Sequence, residues 1–187
     1  MLETARLRLE LWEPGDWRLF RPLATDPEMV RYISGGVPWT DEQTRRFAEK
    51  QSVQFAAGGY CRWKLVHKEN GGFAGFCGLG MLDGFTEPEI GWWVARRYWG
   101  QGLATEAAME ALRDARERAL IPPLISVAHQ DNAASIRIMR KIGLHFDRAL
   151  AYKGYPVVVY ALSRQDLFAH RVEMKLALLL VGEIAQM

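Results

Sequence analysis

A glycine-bearing turn between an apolar strand and a helix of small residues constrains this chain more than any other stretch. Ile90-Gly91-Trp92-Trp93-Val94 is a run of bulky apolar side chains and reads as a strand. Arg97-Tyr98-Trp99-Gly100-Gln101-Gly102 follows, and then Leu103, Ala107, Ala111 and Ala115 fall four residues apart, one stripe of a helix. Such a turn gathers unpaired backbone N–H groups at the positive end of a helix dipole. That is a ready anion site, suited to the phosphates of a nucleotide-like cofactor. Its glycines let the backbone come close to the phosphates. A lone Gly-x-Gly occurs in many ordinary turns, so the flanking segments must narrow the reading.

Composition sets the outer bounds. A chain of 187 residues is most simply one domain with room for a sizeable core. A net charge of +2 gives no electrostatic footing for binding nucleic acid or a membrane surface, and Arg45-Arg46 and Arg96-Arg97 read as local features. The two cysteines, Cys61 and Cys77, both fall in predicted strands, which fits reduced thiols inside an intracellular protein. The start, with Leu2, Leu7, Leu9 and Leu11 partly alternating with charged residues, is a strand pattern and no signal peptide. The longest apolar block, Leu176 to Val181, is far shorter than the roughly 20 residues of a membrane helix. A cytoplasmic location is expected.

The pattern along the chain predicts a strand from Arg6 to Trp12 and a turn at Pro14-Gly15-Asp16 with Asp16 as an N-cap. A second helix starts at Asp26-Pro27 and ends at Ser34-Gly35-Gly36. A third helix runs from Thr40 to Ala57, carries Phe47 and Val53 inward and closes at Gly58-Gly59. Strands Tyr60 to His67 and Phe73 to Leu82 form a hairpin about Asn70-Gly71-Gly72, and a strand Glu87 to Val94 follows. The long helix spans Gly102 to Ala119 and is halted by Pro122-Pro123. A short strand Ile125 to Ala128, a helix Asn132 to Ile142, and a hairpin of Leu144 to Lys153 with Pro156 to Ser163 complete the series. The order β-α-α-α-β-β-β-α-β-α-β-β is mixed α/β, with no internal repeat and no dividing linker.

Glu89-Ile-Gly-Trp-Trp-Val, Arg97-x-x-Gly100-x-Gly102, and Asn132-x-x-Ser135 with Lys141-x-Gly143-Leu144 resemble the GNAT superfamily of acetyl-CoA-dependent N-acetyltransferases. The opening Thr4-x-Arg6-Leu-x-Leu9 is similar to the branch that contains the ribosomal-protein N-terminal acetyltransferases. The likeness covers Leu2 to Leu162. It implies a mixed, mostly antiparallel sheet flanked by helices, acetyl-CoA as co-substrate, and a primary amine as acceptor: a protein N-terminal α-amine or a small molecule. The predicted domain is 1–164, with a helical extension over 165–187.

Acetyl transfer to an amine needs a grip on the pyrophosphate, a donor for the developing oxyanion, a route for the amine proton, and help for the departing thiolate. The resemblance implies that backbone N–H groups of Trp99, Gly100, Gln101, Gly102, Leu103, Ala104 and Thr105 surround the pyrophosphate, beside Arg97. It implies that the strand bearing Trp92, Trp93 and Val94 splays from the strand of Ile125 and pairs with the pantetheine amides, a form of strand addition. Trp92 or Trp93 then gives an N–H to the thioester oxygen; Trp93 is the catalytic candidate. Asn132 caps its helix, and the family match adds a contact of its side chain with the pantetheine arm.

Many members of the superfamily place a tyrosine on this last helix as the acid for the thiolate. Met139 stands there in this chain and cannot donate. Ser135 is the replacement donor, set against the plain reading of a serine in a first helical turn. Glu89 is the first candidate for the base, acting through water, with Glu87 second and His129 third. The competing reading, prompted by Met139, is a CoA-binding regulatory module without catalysis.

Trp39, between early helices, either lines the amine pocket or packs. No metal is expected: the histidines share no ligand spacing and there is no CxxC pair. In the tail, Leu167, Phe168, Val172, Leu176, Leu179 and Leu180 roughly follow helical spacing. Such a helix must pack on its own domain or on a second copy, and a homodimer is the expectation.

Overall fold

Glycine punctuation and alternating apolar residues divide the described residues into eight strands and five α-helices. The computed structural model describes residues 1–118 and 123–162. Strands β1 (Leu2–Glu3), β2 (Leu7–Glu10), β3 (Arg62–His67), β4 (Phe73–Met81), β5 (Pro88–Val94), β6 (Leu124–His129), β7 (His145–Tyr152) and β8 (Tyr155–Leu162) form one sheet. The order across it is β1-β2-β3-β4-β5-β6-β8-β7. Every neighbouring pair is antiparallel except β5 and β6, which run parallel. A parallel pair needs a crossover, and α4 (Leu103–Glu117) lies in it. The mixed, mostly antiparallel sheet matches the expected fold class.

The stripe on α4 does what its spacing implies. Leu103, Ala107, Ala111 and Ala115 are all buried, and their small size lets the helix lie close to β4 and β5. α5 (Ala133–Lys141) follows β6 and ends at Gly143, whose φ of 88° suits glycine. The expected stop at Pro122 lies outside the described residues, as does the whole extension 165–187.

On the other side of the sheet lie α1 (Trp17–Ala24), α2 (Pro27–Val30) and α3 (Asp41–Gly58). α2 is a single turn, shorter than expected, with Gly35 and Gly36 turning the chain after it. Val53 points outward and not into the core. The buried positions of α3 are Thr44, Ala48 and Gln51, and a residue nine positions past Thr44 falls on the opposite face at 100° per residue. Phe47 does face inward, against Trp12, Phe20 and Phe76.

Asp16 precedes α1 but its side chain does not cap it. Its carboxylate accepts from the Glu13 N–H (2.8 Å) and from the buried Lys64 ammonium (2.7 Å). A buried ammonium needs such a partner, and that demand overrides the local cap. Cys61 and Cys77 are free and buried. Burial pushes the Cys61 thiol up to about 12 and raises Cys77 as well.

Candidate active site

The site begins where the parallel strands part. β5 and β6 register at one position, Glu89 opposite Ile125, and diverge toward their C-terminal ends. Both strands lead there into helices, so the N-termini of α4 and α5 open on the same mouth. Ligands of open α/β sheets bind at such a divergence beyond the carboxyl ends of the strands.

Alternate residues of β5 turn their backbone groups to opposite sides. The Ala95 N–H donates to Ala74 on the β4 side (2.9 Å), while the Ile90 carbonyl accepts from the Ser126 hydroxyl on the β6 side (2.9 Å). Ile90, Trp92 and Val94 therefore direct N–H and C=O into the cleft, and Glu89, Gly91 and Trp93 direct theirs to β4. The Val94 carbonyl is taken by the Trp99 indole N–H at 2.6 Å. The Trp92 backbone groups, and not those of Trp93, thus face the cleft. The tryptophan pair alone could not decide this, and the Trp93 N–H expected to serve as donor is directed to β4.

The Trp93 ring has a different place. It packs on the α1–α3 face, 5.0 Å from Trp39, 5.3 Å from Phe20 and 5.5 Å from Phe76 between ring centroids. Trp39 thus joins an aromatic wall that ends at β5.

Glu89 lies at the vertex of the cleft, five residues or about 16 Å along the strand from Val94. It is 6% exposed, and its carboxylate is paired with the Arg62 guanidinium. The pair reaches from β3 to β5 across β4, over Gly80, where an added Cβ would stand 2.2 Å from an Arg62 nitrogen. The base expected from the sequence is therefore already held by a buried cation, a partner 27 residues away with no local signal. Glu87 precedes β5; the Thr86 hydroxyl is the main cause that holds its carboxyl below the ordinary range.

The anion turn has the expected openness. Residues Arg96–Tyr98 form a 3-10 turn, and Gly102, with φ 80°, is the N-cap of α4 without any side-chain cap. The first N–H groups of the helix, on Leu103, Ala104 and Thr105, have no intrahelical acceptor; Glu106 makes the first such bond, to Gly102. A Cβ at Gly100 would meet nothing within 4 Å. These features fit a pyrophosphate. Arg97 turns elsewhere: it donates to the Phe73 carbonyl (2.7 Å) and lies over the Tyr98 ring, so its side chain braces the β3–β4 hairpin.

Asn132 caps α5, its carbonyl oxygen accepting from the Ser135 N–H at 3.1 Å. Its side chain is half-exposed, and a side-chain amide has donors beside that acceptor. Ser135 is half-buried one turn on. Met139 is buried in the core. His129 ends β6, and its Nδ1 accepts from the Asp131 N–H (3.2 Å).

The α2 segment touches both lips of the mouth. Asp26 faces Arg96 on the β5 side at 3.5 Å, and the Tyr32 ring lies 5.3 Å from that of His129 on the β6 side. Neither Tyr32 nor Ser126 was marked in the sequence, since each acts through a partner distant along the chain.

The Acetyltransferase (GNAT) domain pattern matches residues 6–145. The chain belongs to the GNAT acetyltransferase family. It is 33% identical over 162 residues to the uncharacterized protein YkkB of Bacillus subtilis (strain 168), covering 85% of this chain and 93% of that protein. It is 26% identical over 143 residues to the uncharacterized N-acetyltransferase YnaD of the same strain, covering 76% and 81%. Among solved structures, RimL, the ribosomal L7/L12 alpha-N-protein acetyltransferase in complex with coenzyme A, superposes with a TM-score of 0.73. That match has 16% identity and covers 87% of this chain and 97% of that one, so the likeness is one of fold. The resemblance to the RimL-like branch holds in that sense. Among the described residues no group of three His, Cys, Asp or Glu is arranged to hold a metal, and no helix is long and apolar enough to cross a membrane.

Proposed function

We propose that this protein transfers an acetyl group from acetyl-CoA to a primary amine by direct attack in a ternary complex. The observation that carries the reading is the divergence of β5 and β6 beyond Glu89–Ile125 with the uncapped N-terminus of α4 at the same end. The amides from Trp99 to Thr105 hold the pyrophosphate, the Trp92 backbone pairs with the pantetheine arm, and the Asn132 NH2 adds a further bond to it. The amine approaches from the face of Trp93 and Trp39. Its lone pair adds to the carbonyl carbon, with the Trp92 N–H on the developing oxyanion; the C–S bond breaks and the thiolate leaves toward Ser135. The amine proton passes through water to Glu89, whose carboxylate is oriented by its pairing with Arg62.

The acceptor is a protein N-terminal α-amine or a small-molecule amine, and no nucleic acid or membrane takes part. A cytoplasmic location fits two buried free thiols. A homodimer through 165–187 remains part of the proposal, tested by sedimentation.

The test is release of free CoA thiol across N-terminal peptides and small amines. Turnover with at least one class is expected. Tight acetyl-CoA binding without turnover across the panel favours the second reading, a regulatory CoA-binding module, for which the buried Met139 in place of a donor speaks. For Glu89, Glu89→Gln should lower kcat about a hundredfold, with recovery as rising pH deprotonates the acceptor. An unchanged kcat would remove Glu89 from the proton route.

A further inference from the structure

Two segments a hundred residues apart meet behind the anion turn. Glu106, in the first turn of α4, accepts from the Thr4 hydroxyl at 2.5 Å and from the Arg6 backbone N–H at 2.9 Å through Oε1. Its Oε2 accepts from Arg6 Nε at 2.7 Å and lies 2.6 Å from the Nη2 of the same guanidinium. The other terminal nitrogen of Arg6, Nη1, donates to the Gln101 carbonyl at 2.8 Å.

A carboxylate in the first turn of a helix competes for the very charge that an incoming anion needs. Here it is turned back and neutralised. Burial acts to raise the Glu106 carboxyl, and the bonds from Thr4 and Arg6 outweigh it and keep it ionised below the usual range. The contact to Gln101 acts on geometry. In a trans peptide the C=O of one residue and the N–H of the next point in opposite directions. Holding the Gln101 carbonyl on Arg6 therefore turns the Gly102 N–H away from Arg6. Were that peptide to flip, a carbonyl oxygen would face the anion. Gly102 permits either orientation, since its φ of 80° lies where glycine moves freely. Something outside the turn must choose, and Arg6 is the side chain nearest to a Cβ placed on Gly102, at 3.7 Å.

We propose that Thr4, Arg6 and Glu106 form a staple that holds the Gln101–Gly102 peptide in the orientation that binds the pyrophosphate of CoA. Arg6 is a positioning residue, acting through the turn. The inference rests on the acetyl-CoA reading above. It also gives the strand-opening Thr4-x-Arg6 pair a task at the far end of the chain.

The test is titration calorimetry of wild type, Arg6→Met, Arg6→Lys and Thr4→Val with CoA, together with turnover on S-acetylpantetheine, which lacks the pyrophosphate. Arg6→Met should weaken CoA at least tenfold and leave turnover of S-acetylpantetheine within twofold of wild type. Arg6→Lys should fail to restore CoA affinity, because one ammonium cannot span Glu106 and Gln101 as the planar fork does. Thr4→Val, which removes one bond and little volume, should weaken CoA severalfold. Unchanged CoA affinity in Arg6→Met and Thr4→Val overturns the staple, as does an equal loss with both donors. A wild type that binds no CoA overturns the acetyl-CoA reading itself, and the staple with it.

Discussion

Three helix N-termini in this protein are finished in three different ways. α3 is closed: Thr40 accepts from the Gln43 N–H at 3.2 Å while the Gln43 side chain accepts from the Thr40 N–H at 2.7 Å. α5 is half closed, with Asn132 spending its oxygen on Ser135 and keeping its NH2. α4 is left open by Gly102. With no side-chain acceptor, the first N–H groups of α4 are available to an anion, whereas the box at α3 has used its own. Of these three, the two open ends lie at the mouth of the β5–β6 cleft; α1 also lacks a side-chain cap, but there the Asp16 carboxylate is spent on Lys64. In the proposed function the open end of α4 binds the donor, and the closed end of α3 only holds the fold.

The largest expected effect comes from blocking the open end. Gly102→Val forces a branched side chain onto a positive φ and moves the amides of α4 out of line. Losing two charge-assisted hydrogen bonds, each worth about 1.5–3 kcal/mol, should weaken CoA about a hundredfold or more. Calorimetric titration reads it, and affinity within threefold of wild type would break the link between openness and binding.

How far this was legible beforehand differs by residue. Gly100, Gly102 and the alanine stripe carry short-range signals, a period and a pair of φ-permissive residues, and these survive intact in the fold. The Thr40–Gln43 box is equally local in its bonds, but the expectation from sequence covers only its helix start at Thr40. Trp92 and Trp93 show where such reading stops. Their order in the strand says that they face opposite sides, but which backbone opens on the cleft depends on the register with β4. The Arg62 partner of Glu89 was hidden for a related reason: it reaches the carboxylate across β4, over Gly80. Val53 was misassigned by period, since 18 helical residues leave room for an apolar side chain on the wrong face. Arg6 was visible as part of a motif, but its bond to Gln101 crosses 95 positions of sequence.

The half-closed end should give an intermediate effect. Ser135→Ala leaves the Asn132 cap in place, because the capped group is the Ser135 backbone N–H. It removes a hydroxyl without altering the helix end. If that hydroxyl steadies the departing thiolate, kcat falls about tenfold, in keeping with about 1.4 kcal/mol, and KM for acetyl-CoA stays as it was. A rise in KM with kcat unchanged would move Ser135 from the chemistry to the grip.

The smallest effect belongs to the closed end, where Thr40→Ala removes the acceptor for the Gln43 N–H. Loss of such a cap costs about 1 kcal/mol, which in a protein of this size lowers Tm by about 2–4 °C. CoA affinity should not change, because Thr40 lies on the α1–α3 side of the sheet and its bonds end within its own helix turn. Thr40→Ser, which keeps the hydroxyl, should recover most of the Tm. Measured together, Gly102→Val and Thr40→Ala form a crossed pair: the first loses ligand far beyond what its strained φ takes from Tm, the other loses Tm with no loss of ligand. If Thr40→Ala weakens CoA as much as it lowers stability, α3 is coupled to the cleft through Phe47 and the aromatic wall, and the division between closed and open ends fails at that point.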